Sequence, residues 1–194
     1  YEHSFYVDLT PTINDVYIKR DAMGSRAWRT ILVGGLRAGG RGLFAVDVSN
    51  PSEFTEPDNA DKIVMWEFTS SDDADLGYTY SQPSIVMMPN GKWAAIVGNG
   101  YNNQGDGTAK LFILFLEEGL DGRWVKADGD YIELETGTGS GAGASNGLST
   151  PRVVDTDGDS VADRVYAGDL KGNMWAFDVS ASDPTEWGVA YSDG

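Results

Sequence analysis

The sequence predicts an all-β fold of propeller blades, on three observations. Short β-branched and aromatic segments recur three times in one order, glycines and prolines punctuate them at matching intervals, and no stretch sustains apolar residues at helical spacing. The expected unit is a four-stranded antiparallel sheet, and about three such units fill the 194 residues. Propellers close with about four to eight blades, so three units imply a fragment of a larger, modified propeller.

The first unit opens at Thr10 to Ile18, where apolar residues alternate, and continues through Trp28 to Gly35, Gly42 to Ser49 and Ile63 to Phe68. The order returns in Gln82 to Val86, Trp93 to Gly100, Lys110 to Leu116 and Tyr131 to Leu134. A third copy runs through Thr150 to Val154, Arg164 to Asp169, Asn173 to Ser180 and Trp187 to Tyr191. Ala45-Val46-Asp47-Val48-Ser49 and Ala176-Phe177-Asp178-Val179-Ser180 repeat one pattern. Pro11, Pro83 and Pro151 stand 72 and 68 residues apart, and Gly34, Gly98 and Gly168 stand 64 and 70 apart. Compact blades need only about 40 to 45 residues, so loops must be inserted between strands. The expectation is one domain over 1–194 with approximate blades at 5–70, 78–136 and 148–194 and a glycine-rich linker at 137–147. The chain begins inside a strand with no visible signal peptide, which fits a piece excised from something longer.

Charge narrows the partners. Against 14 Lys and Arg stand 30 Asp and Glu, a formal net charge of −16 that repels nucleic acid and anionic membranes. The apolar runs, such as Ile63 to Trp66 and Leu111 to Leu116, are too short to enter a bilayer as spans. With 41% hydrophobic residues, six Trp and nine Tyr, there is ample apolar surface to offset chain entropy. The absence of cysteine excludes disulfides and thiolate metal sites without assigning a compartment.

One stretch carries distinctive chemistry. Asp155-Thr156-Asp157-Gly158-Asp159-Ser160-Val161-Ala162-Asp163 sets carboxylates at positions 1, 3, 5 and 9 of a short loop, where they repel each other unless a cation joins them. A hard ion that accepts six or more oxygens suits that set, and calcium is the common one. Asp155, Asp157 and Asp159 would supply side-chain oxygens, Val161 its carbonyl, and Asp163 would close the ring directly or through water. The spacing follows an EF-hand loop for nine positions and then departs, with Ser160 for the position-6 glycine and Tyr166 for the position-12 glutamate. The flanks, Pro151 to Val154 and Arg164 to Ala167, read as strands instead of helices. An acidic hairpin tip that only hydrates the surface is the competing reading; the strict odd spacing favours the metal.

Other motifs give less. Gly137 to Gly147 matches neither the dinucleotide fingerprint nor the P-loop, and it reads as a flexible linker, while Gly34 to Gly42 reads as a wide hairpin connection. His3 is the single histidine, which leaves a Ser-His-Asp triad without a credible base, and no enzyme is predicted. Asp72-Asp73-Ala74-Asp75 reads as a solvated acidic loop more readily than as a second cation site. Trp28, Trp66, Trp93 and Trp175 read as wedges between blades, and Asn99 to Asn103 as a surface contact loop.

Three segments carry a family resemblance: Ile31 to Val48, Gly98-Asn99-Gly100-Tyr101-Asn102, and Asp163 to Trp175 with the aspartate loop before it. In this order, across almost the whole chain, they resemble the C-terminal propeller of type IV pilus tip-associated proteins, the PilC/PilY-type adhesins. The resemblance implies a modified β-propeller at the pilus tip or outer bacterial surface that supports pilus biogenesis, attachment and twitching motility. It implies pilus proteins such as minor pilins as partners, together with a host or abiotic surface. It also implies Ca2+ as the cofactor, held by Asp155, Asp157, Asp159, the Val161 carbonyl and Asp163, with occupancy opposing pilus retraction. Some members carry an Arg-Gly-Asp tripeptide for integrins; Arg20-Asp21 and Arg41-Gly42-Leu43 do not form one here. Two alternatives remain open at this point. A quinone-dependent dehydrogenase propeller shares runs like Gly168 to Asp178 but is disfavoured by the missing cysteine pair, and an integrin-like calcium propeller shares only the aspartate loop.

Overall fold

A computed structural model describes residues 3–21, 23–54, 59–139 and 145–191. Among these residues, twelve strands form three four-stranded antiparallel sheets, each a simple meander in chain order. The first holds β1 (Thr12–Ile18), β2 (Ala27–Gly35), β3 (Gly42–Asp47) and β4 (Val64–Thr69). The second holds β5 (Ser84–Met87), β6 (Trp93–Gly98), β7 (Lys110–Phe115) and β8 (Tyr131–Glu135). In the third lie β9 (Arg152–Val154), β10 (Arg164–Gly168), β11 (Met174–Asp178) and the short β12 (Gly188–Val189). The all-β expectation and its four-stranded units are therefore observed. Ile63, read as the start of a strand, instead ends a single helical turn, Ala60–Ile63, and β4 begins at Val64.

Two cores sit on the two faces of the middle sheet, because successive side chains of a strand point to opposite sides. Every residue of β7 is buried. Phe112 and Leu114 join Val16, Ile31, Val33, Leu43 and Phe68 of the first sheet, whereas Leu111, Ile113 and Phe115 join Val165 and Phe177 of the third, together with Trp187 just before β12. The first core is aromatic: Phe68 meets Phe112, Trp124 and Tyr131 edge-on at centroid distances of 5.6, 5.3 and 5.1 Å. That geometry suits the ring quadrupoles. Trp66 is buried as expected and donates its indole N–H to the Leu116 carbonyl at 3.1 Å. Trp28 is not a wedge between the described sheets. It is 68% exposed and rests against Tyr17, because it lies on the face of β2 turned away from the middle sheet.

The sheets are tied at their inner strands and at one end. Thr12 Oγ1 donates to the Pro83 carbonyl at 2.7 Å, Asn14 Nδ2 to Ile85 at 2.9 Å, and the Gln82 amide to Thr150 Oγ1 at 3.0 Å. Asn99 and Asn103, expected in a surface loop, are buried instead. The Asn99 carboxamide oxygen accepts the Lys110 and Leu148 amides, and its nitrogen donates to the Asp75 and Thr108 carbonyls, so it joins the second sheet to the third. The C-terminal end of the glycine tract is packed, while residues 140–144 lie outside the described residues. Asn146 is fully buried, and a Cβ at Gly147 would lie 1.7 Å from the Gly100 carbonyl oxygen, so only glycine fits there.

Candidate metal centre

The connection between β9 and β10 folds around its own carboxylates. Asp155 Oδ1 accepts the Gly158 amide at 2.6 Å and the Asp157 amide at 3.3 Å, and Oδ2 accepts the Ser160 amide at 2.8 Å. Asp157 and Asp159 repeat the motif two residues on, accepting the Asp159 and Val161 amides at 3.2 and 2.8 Å. This is what a short acidic side chain does in an Asx-turn. Gly158 takes φ +87°, and Ser160, where an EF-hand has glycine, takes φ +70°. The backbone thus reaches the left-handed conformation that the turn requires, at some strain for a serine.

This folding draws Asp155, Asp157 and Asp159 together: one oxygen from each lies within 4.8 Å of the others, all exposed. Asp163 stands apart from that trio, its Oδ2 accepting the Thr156 amide at 2.7 Å and the Thr156 hydroxyl. Val161 leaves the loop sideways and bridges in parallel to Met87, and the next amide, Ala162, donates to the Met87 carbonyl at 3.0 Å. The loop is therefore fastened to the end of β5 in the neighbouring sheet. Asp155 is held below the usual carboxylate range, first by the Gly158 amide and then by that of Ser160. For Asp157 the Asp159 amide pulls downward, yet the charges of Asp159, Asp163 and Asp155, with partial desolvation, leave its carboxyl raised. A raised carboxyl among its own kind marks an unbalanced negative charge. Three converging hard oxygens are ligands of the type a calcium ion takes, as part of a set of about six to eight.

A second acidic group, Asp73, Asp75 and Glu133, also comes together, but it already has a cation. The Lys110 ammonium, 3% exposed, lies 2.6 Å from Asp75, 3.0 Å from Asp106, 3.0 Å from Glu135 and against Glu133. Burial would lower its pKa, but the hydrogen bonds it donates to Asp75, Glu133, Asp106 and Glu135 win and raise it well above the ordinary lysine range. Asp72 and Asp73 are likewise committed. Asp72 accepts the Thr69 amide at 2.8 Å and hydroxyl at 2.9 Å, and Asp73 accepts the Tyr131 hydroxyl at 2.8 Å. The solvated acidic loop of the sequence reading is a structural junction. Its organising residue, Lys110, was missed because nothing local marks a strand-initial lysine as buried.

The turn after β10 has a similar logic. Burial would raise Asp169, but donors from Asn173, Trp175 and Asn146 bring it down to about 2. Its Oδ2 accepts Asn146 Nδ2 at 2.8 Å, Asn173 Nδ2 at 2.9 Å and Trp175 Nε1 at 3.0 Å, which explains the aspartate, asparagine and tryptophan of the Asp169 to Trp175 motif.

The model of one known family, described as the PilY1 beta-propeller domain, matches residues 1–192, which takes in all three sheets, the aspartate loop and this turn. The chain belongs to that family. A PilY1 homologue from Xylella fastidiosa, named as a type IV pilus biogenesis factor, is 45% identical over 194 residues, which is the whole of this chain and 12% of that protein. The type IV pilus biogenesis factor PilY1 of Pseudomonas aeruginosa strain UCBPP-PA14 is 42% identical over 177 residues, 91% of this chain and 13% of the relative. The crystal structure of the Pseudomonas aeruginosa PilY1 C-terminal domain superposes with a TM-score of 0.72 at 34% identity, covering 94% of this chain and 35% of that one. The chain thus spans about an eighth of the curated PilY1 relatives and about a third of the solved PilY1 domain. No helix among the described residues is long and apolar enough to cross a membrane.

Proposed function

We propose that this chain is a calcium-binding segment of a propeller in a type IV pilus biogenesis factor, displayed at the pilus tip or outer cell surface, where it supports pilus assembly, attachment and twitching motility. Its role is that of a binding module and not of an enzyme. Minor pilins are the proposed assembly partners, and a host or abiotic surface the attachment partner. The observation that carries the calcium reading is the loop between β9 and β10, where three exposed carboxylates converge within 4.8 Å. Asp155, Asp157 and Asp159 would hold Ca2+ through side-chain oxygens, with Val161 contributing its carbonyl and Asp163 completing the set. The ion would neutralise the mutual repulsion of the aspartates and fix the loop where Val161 bridges to Met87. Support for the pilus reading comes from the family and from its relatives, which are named as type IV pilus biogenesis factors.

Calorimetry with calcium tests the metal. Binding is expected with a dissociation constant of about 10⁻⁷ to 10⁻³ M. The absence of both heat and thermal shift would end the reading. For the biological role, the aspartates are replaced in the full-length protein and surface pili and twitching are scored. Normal piliation and movement with no bound calcium would separate the loop from pilus function.

A further inference from the structure

At the end of the sheets opposite the metal loop, three connections build a platform of arginine and tyrosine. Arg37 lies over Tyr80 at 5.2 Å, Tyr80 packs on Tyr101 at 5.3 Å, Tyr101 pairs with Tyr78 in an isolated β-bridge, and Arg41 lies over Tyr78 at 4.6 Å. The connections are fixed to one another. Buried Thr79 accepts the Leu36 and Arg37 amides on its hydroxyl at 3.0 and 3.1 Å, and Arg41 Nε donates to the Asn102 carbonyl at 3.1 Å. Arg37 and Asn102 both hold positive φ, 52° and 56°. Strained backbone of this kind persists only where its surroundings impose it.

Arg41 is the unusual member. Arg20, Arg26, Arg29, Arg37 and Arg164 each have a carboxylate within 4.0 Å, as expected in a chain with 30 acidic residues. Among the described residues Arg41 has none. Arg123 and Arg152 lack one too, but neither lies over a ring. The guanidinium of Arg41 is oriented by Tyr78 on one face and by Asn102 at Nε, and among the described residues its terminal nitrogens have no partner. Its neighbour shows what such a group takes on this platform: Arg37, stacked in the same way on Tyr80, meets Asp8 at 3.6 Å.

The geometry points to Arg41 as the anchor for an acidic side chain of a partner protein, received on the platform of Tyr78, Tyr80 and Tyr101. A planar fork recognises a carboxylate with two hydrogen bonds, and holding the fork in place beforehand removes most of the ordering cost. Tyrosine and arginine are also the residues that concentrate binding energy at interfaces. A sugar would need an open ring face, and a guanidinium already lies over one face of Tyr78 and one of Tyr80. A polyanion would meet the repulsion of a −16 chain, whereas one Asp or Glu meets only the local arginines.

The test is a titration followed by NMR on the Arg41 Nε–H and the Tyr78 ring. The probe is an end-blocked pentapeptide with one central glutamate between glycines, with its glutamine counterpart as control. The glutamate peptide moves both signals and the glutamine peptide does not; Arg41→Ala abolishes binding, and Arg41→Lys weakens it about tenfold. The core signals of Phe112 and Tyr131 stay in place in both variants, which shows that the fold is intact. Equal response to the two peptides, undiminished binding by Arg41→Ala, or a response to N-acetylneuraminate in place of the glutamate peptide would overturn the proposal.

Discussion

Lys110 shows how one side chain can decide a region that composition leaves undefined. Its ammonium is 3% exposed and faces Asp75, Asp106, Glu133 and Glu135, of which Glu133 is itself 1% exposed. Lys110→Met removes the positive centre and leaves carboxylates facing each other, an expected loss of about 3 to 5 kcal/mol by chemical denaturation. Adding Glu133→Gln to that variant recovers part of the loss, because it removes the most buried negative charge. Asp155→Ala acts differently, since Asp155 is exposed and its amide partners can turn to water. The fold is expected to survive while calorimetry records calcium affinity reduced on the order of tenfold or more. The aspartates at odd spacing were legible in the sequence because the local turn that converges three of them is written in adjacent residues. Lys110 was not, because its partners come from positions 75, 106, 133 and 135.

Among the elements, β7 and the β9–β10 loop carry the clearest consequences. β7 is apolar on both faces because it is the central contact of two cores, and Phe112 packs against Phe68 at 5.6 Å and Tyr131 at 6.1 Å. Phe112→Ala opens a cavity in the aromatic core and is expected to cost about 3 to 5 kcal/mol in urea unfolding, with no change in calcium affinity. The loop, in contrast, rests on few contacts, among them the Ala162 amide to the Met87 carbonyl at 3.0 Å. Calcium at ten times its dissociation constant is expected to slow hydrogen exchange at Ala162 about tenfold if local opening releases the ion. Unchanged exchange would show that the loop and β5 are coupled without the metal. Period-two alternation made the strands readable, yet it could not show that Trp28 faces away from the middle sheet or that Trp124 closes the first core, with its indole donating to the Glu67 carbonyl at 2.7 Å. Which face of a strand is covered depends on the sheet beside it.

For the molecule as a whole, charge sets the acid limit. Burial would raise Asp106 and Asp169, but hydrogen bonds from Thr108 and Lys110 in the first case, and from Asn173, Trp175 and Asn146 in the second, bring both down to about 2. A carboxylate depressed on folding stabilises the native state above its unfolded pKa and loses that contribution as pH falls through the folded value. Thermal unfolding is therefore expected to drop between about pH 4 and pH 2, with a shallower fall in Asp169→Asn. The repeat order, the acidic balance and the aspartate loop were determined by the sequence alone, because each rests on residues close together in the chain and on side-chain chemistry that needs no partner. Tertiary structure decided the rest. It gave Lys110 to the second acidic group, buried Asn99 and Asn146 between sheets, and stacked Arg37 and Arg41 on tyrosines from other connections, since only packing brings distant segments close enough to desolvate a charge or orient it.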